Sequence, residues 1–93
     1  MIRRVEISSA AAKDLKKVPA RIVEKLAIWI GMVEESGLET VRMIPGFHDE
    51  PLKGRRKGQR SIRLSCHYRA IYVLMSDNSI RFVLIEEVTK HEY

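Results

Sequence analysis

The chain has 93 residues, enough for one compact domain and too few for two that would each bury a core. An apolar content of 45% excludes a disordered chain, and no apolar run approaches the roughly 20 residues of a membrane span. Seventeen Lys and Arg against 12 Asp and Glu give a net charge of +5, and the single cysteine, Cys66, excludes a disulfide framework or a thiolate metal cluster.

The start "MIRRVEIS" is charged but has no apolar stretch behind it, so it does not read as a signal peptide, and a cytoplasmic protein is expected. "IRRVEI" (Ile2 to Ile7) alternates and reads as a first strand. Ser8 and Ser9 offer N-caps for a helix through "AAAKDLKKV". Pro19 breaks that helix and suits the first turn of the next. In the second helix Ile22, Leu26, Trp29, Ile30 and Val33 form one apolar stripe, with Val23 and Ala27 beside it, and Gly37 is the expected C-cap. A stripe at this spacing is core rather than a cofactor site.

From Leu38 to Gly58 the signals are mixed, and Pro45-Gly46 and Pro51 mark a connection with room for a short helical turn or an irregular strand. After Gly58 the period becomes two. "RSIRLS" sets Ile62 and Leu64 against Ser61, Arg63 and Ser65. "YRAIYVLM" is the next strand, closed by the turn signal Ser76-Asp77-Asn78-Ser79. "IRFVLIEEV" follows, and its continuous apolar centre predicts a strand covered on both sides. The fold class is therefore α+β: two N-terminal helices packed on a small, mainly antiparallel sheet, in one domain over residues 1–93.

The positive charge is local. Between Lys53 and Arg69 the chain carries Lys53, Arg55, Arg56, Lys57, Arg60, Arg63 and Arg69 with no carboxylate, which is the footprint expected for a polyanion, nucleic acid being the commonest. Arg81, which opens the last strand, is counted with them as RNA-binding. A tight hairpin brings Arg63 near Arg69. In an antiparallel meander the end of the last strand lies beside the start of the one before it, so His91 and Tyr93 approach Arg69. Guanidinium groups hold a phosphate, and His moves a proton near neutral pH. No phosphate loop and no paired-His metal spacing is present. Asp49-Glu50 and Glu86-Glu87 are carboxylate pairs of the kind usually found as surface charge. Cys66 and His67 are strand neighbours that point apart, and His48 reads as a loop residue.

"DEPLKGRRKGQRSIRLSCHYRAIYVL", followed by an apolar strand and "KHEY", resembles the RelE/YoeB/HigB superfamily of toxins from type II toxin–antitoxin pairs. The resemblance covers nearly the whole chain. It implies a ribosome-dependent mRNA endoribonuclease that needs no metal or other cofactor, in which the RNA 2′-OH attacks the adjacent phosphate. It further implies Glu50 as general base, Arg69 as stabiliser of the phosphate charge, His91 as general acid, and Tyr93 as a group that orients or stacks on the substrate. Lys53, Arg60 and Arg63 would then hold the RNA backbone. The implied partners are a cognate antitoxin, the ribosome and mRNA, with a homodimer or a toxin–antitoxin hetero-oligomer as the assembly. One departure stands out: Glu92 separates His91 from Tyr93, whereas the YoeB-like pattern has them adjacent. A gyrase-poisoning toxin of the ParE kind and a non-catalytic binding module of the same fold are the alternatives.

Overall fold

The computed structural model describes residues 1–90. Its elements are β1 (Arg4–Ile7), α1 (Ser9–Leu15), α2 (Ala20–Ser36), α3 (Leu38–Val41), β2 (Glu50–Pro51), β3 (Arg60–Arg63), β4 (Tyr68–Asp77) and β5 (Ile80–Lys90), with 3-10 turns at Pro45–Phe47 and Gly54–Arg56. The five strands lie in the order β1-β5-β4-β3-β2. This is the expected α+β layout, with one parallel pair: β1 runs alongside β5, Arg4 opposite Phe82 and Ile7 opposite Ile85.

Ser8 caps α1, its hydroxyl accepting the Ala11 N–H at 3.0 Å. The helix stops at Leu15, three residues short of the expected Val18, with Lys16 as its C-cap; Pro19 disfavours helical backbone at Val18. Pro19 then serves as N-cap of α2. Ile22, Leu26, Trp29 and Val33 are buried, as the helical spacing requires, and Ile30 is half-buried. Val23 and Ala27, expected beside the stripe, are exposed. Each lies about 100° around the helix from a buried neighbour, which carries it out of the contact arc. Gly37 ends α2 with φ 88°, and a Cβ there would sit 2.9 Å from Met1 Cβ, so glycine is demanded twice over.

The helices cover one face of the sheet. Ile62, Ala70, Tyr72, Val83, Ile85 and Val88 point into that core, where the rings of Trp29 and Tyr72 lie 5.4 Å apart. The expectation that β5 is covered on both sides holds only in part: on the face away from the helices Phe82 is buried beneath the Arg4 guanidinium, 4.4 Å from its ring centre, and Leu84 is half-buried, but Ile80 is 56% exposed. β4 turns into β5 at Asn78 and Ser79, both with positive φ, as a two-residue hairpin needs. The ladder then slips: Ile71 faces Glu87 while Tyr72 faces Ile85, leaving Glu86 as the extra residue of a β-bulge.

Candidate active site on the open face of the sheet

Strand alternation and register decide which side chains share the open face. Glu50 pairs with Ser61, Ser61 with Ile71, and Ile71 with Glu87, so one row crosses four strands. The neighbouring row is Arg63, Arg69 and Thr89. Arg69 is fixed in place: its Nη1 donates to Ser61 Oγ at 3.3 Å and lies 3.8 Å from Glu50 Oε1. Ser61 is 1% exposed, a buried hydroxyl whose job is to aim the guanidinium. Glu50 is 58% exposed and reachable from solvent. A half-screened arginine with donors to spare beside an accessible carboxylate can bind a phosphate and remove a proton next to it.

The meander directs the end of β5 to the same place. Thr89 pairs with Arg69 and Lys90 with Tyr68, so the chain leaves β5 beside Arg69, as the sequence predicted. His91 and Tyr93 lie outside the described residues.

No protein-family model and no curated protein sequence matches the chain. Solved structures do. The toxin–antitoxin complex DinJ–YafQ of E. coli includes a chain similar to this one at 25% identity and TM-score 0.72, covering 97% of this chain and 94% of that one. A YoeB/ParE toxin from Agrobacterium tumefaciens is 20% identical with TM-score 0.69, over 96% of this chain and 99% of its own. The toxin–antitoxin complex RelBE2 of Mycobacterium tuberculosis matches at 23% identity and TM-score 0.66, over 98% of this chain and 100% of that one. The chain has the fold of the RelE/YoeB toxins.

In this RelE/YoeB fold the basic block is not uniform. Lys53, Arg55, Lys57 and Arg63 make no ion pair with another described residue, and Arg63 stands opposite Arg69 on β3. Arg56 instead binds Glu87, with nitrogen–oxygen distances of 3.2 to 3.4 Å. Arg60, expected to hold RNA, is placed differently from the rest of the block. Arg60 faces the helix side, where its Nε donates to Asp49 Oδ1 at 2.6 Å, and Tyr72 Oη donates to Asp49 Oδ2 at 2.6 Å. Burial alone would lower the pKa of Arg60, but the Asp49 hydrogen bond and charge reverse this and hold it above the usual value. The Tyr72 hydroxyl is pushed above its ordinary value, first by burial and then by the Asp49 carboxylate. Asp49 thus links Arg60 and Tyr72 on the helix side of the sheet.

Arg81 is remote from Arg69. It pairs with Ser76, seven residues along β4 from Arg69 and so about 23 Å away at the rise of a strand. Among the acidic pairs, Glu86 accepts Gln59 Nε2 at 2.8 Å and Glu87 is held by Arg56. His48 is the left-handed residue that ends the first 3-10 turn, while Cys66 and His67 are exposed between β3 and β4. Sequence reasoning passed over Ser61. Its place two residues before Arg63 on the same polar face was the available signal.

Proposed function

We propose that the chain is the toxin of a type II toxin–antitoxin pair and that it cleaves mRNA on the ribosome. The observation that carries this reading is the Arg69–Glu50 pair, held by Ser61 on the open face of a RelE/YoeB fold. Glu50 takes the proton from the RNA 2′-OH, the 2′-oxygen attacks phosphorus, and the bond to the 5′-oxygen breaks. Arg69 balances the charge that builds on the phosphate oxygens, and His91 returns a proton to the leaving oxygen. Tyr93 orients the substrate. The antitoxin complexes among the structural relatives support a cognate antitoxin as the protein partner.

The test is to map breaks in translated mRNA by primer extension, with and without ribosomes, for the wild type and for Arg69→Ala and His91→Ala. Loss of a charge-stabilising donor or a general acid typically costs about 100- to 10,000-fold, so both variants should fall by that order. Tyr93→Ala should lose less, because Glu92 displaces it from the adjacent position of the YoeB pattern. A folded Arg69→Ala protein cutting at the wild-type rate sinks the nuclease reading. Gyrase-dependent DNA breaks with intact mRNA would favour the ParE-like one.

A further inference from the structure

The turn that joins β2 to β3 belongs to one side of the sheet, yet it touches β5. Leu52 and Gln59 close the base of this hairpin through an N–H to carbonyl bond of 2.9 Å. From there the chain folds back across the open face, so that Gln59 reaches Glu86 at 2.8 Å and Arg56 forks onto Glu87 at 3.2 Å. Ile71, on the open face and outside the helix-side core, is only 4% exposed, as a residue beneath such a turn should be. In a regular strand consecutive side chains point to opposite faces; the bulge at Glu86 allows both carboxylates to face the turn. The bulge is itself secured from the other direction, where Ser8 Oγ donates to the Glu86 carbonyl at 3.0 Å.

We propose that Glu86 and Glu87 are positioning residues that clamp the basic turn, so that Lys53, Arg55 and Lys57 face an RNA backbone running past Arg69. Arg56 is then an anchor for the turn and makes no phosphate contact. This assignment rests on the RNA-cleaving reading above. It also separates two effects that charge alone would confuse: removing two carboxylates raises the net charge, which on Coulomb grounds strengthens RNA binding, whereas loss of the clamp weakens it.

The experiment pairs hydrogen exchange with RNA binding, using the full chain and a short 2′-O-methyl RNA that cannot be cut. The variants are Glu86→Ala with Glu87→Ala, and the charge swap Arg56→Glu with Glu87→Arg. In the double alanine variant the amides of Arg56, Lys57 and Gln59, each hydrogen-bonded within the turn, should exchange faster. Its RNA affinity should fall roughly three- to tenfold, the scale of one exposed ion pair and one hydrogen bond. The swap should restore both readouts to within about twofold, as expected of a pairwise coupling. Unchanged exchange, tighter RNA binding in the double alanine variant, or a swap that fails to restore affinity would each overturn the clamp. A wild-type protein that holds the RNA neither free nor on ribosomes sinks the nuclease reading instead, a result the variants cannot mimic.

Discussion

At the scale of single residues, the two arginines of "RSIR" and the one in "YRAIY" have different fates because of which face they occupy. Arg63 and Arg69 are on the open side, but Arg60 is turned toward the helices, where a buried carboxylate claims it. The Asp49 side chain is 1% exposed, with both oxygens engaged. Asp49→Ala leaves the Arg60 cation and the Tyr72 hydroxyl without their acceptor, and should cost about 2–4 kcal/mol in a urea unfolding measurement. Tyr72→Phe removes only one donor and should cost about 1 kcal/mol near neutral pH. The gap should narrow in alkali. Because the folded protein holds the Tyr72 proton more tightly than the unfolded chain does, the stability it contributes is complete below about pH 10 and drains away as the pH rises further. The stability of the wild type should therefore fall more steeply above that pH than that of Tyr72→Phe, and parallel pH profiles would refute the Tyr72–Asp49 linkage.

Elements show where the sequence was legible and where it stopped. The α2 stripe was readable because a 3.6-residue period survives any tertiary arrangement that buries one face. The β4–β5 meander was readable from alternation and from Asn78-Ser79, and its direction alone brings the exit of β5 to Arg69. Three things were not readable: the parallel β1–β5 pairing, the bulge at Glu86, and the turn folded across the open face. Each depends on contacts between residues distant in the chain, from Ile71 with Glu87 to Arg56 with Glu87 and Arg4 with Phe82, and no local period encodes them. The end of β1 illustrates the point. β5 continues past Ile7 with no strand on that side, and the Val88 N–H would be unpaired and buried but for Asp14 Oδ2 at 2.9 Å, supplied from the last turn of α1. Asp14→Ala should cost about 1–3 kcal/mol, the penalty of a buried donor left unsatisfied. Asp14→Asn keeps a carbonyl oxygen at that place and should recover most of it. Equal losses in the two, measured by thermal unfolding, would show that the Asp14 charge and not the hydrogen bond matters.

For the molecule as a whole, the +5 charge matters through its placement. Lys53, Arg55, Lys57 and Arg63 have no ion-pair partner among the described residues; Arg63 stands opposite Arg69 in the sheet, and the other three belong to the turn between β2 and β3. An RNA strand that engages four of these five cations should bind with a log–log salt slope of about −3, at roughly 0.7 per phosphate contact. Affinity for a short RNA should then drop about 50-fold between 50 and 200 mM salt. Replacing Arg55 with Gln should flatten the slope by about 0.7, because one phosphate contact is lost. Arg81→Gln removes the same charge from the far end of the hairpin, where Arg81 pairs with Ser76. At about 23 Å from Arg69 it lies beyond two Debye lengths at physiological salt, so its slope should match the wild type. Fluorescence anisotropy across a salt series reads all three proteins directly. Equal flattening by Arg55→Gln and Arg81→Gln would mean that the RNA answers to net charge, and the local footprint between Lys53 and Arg69 would have to be abandoned.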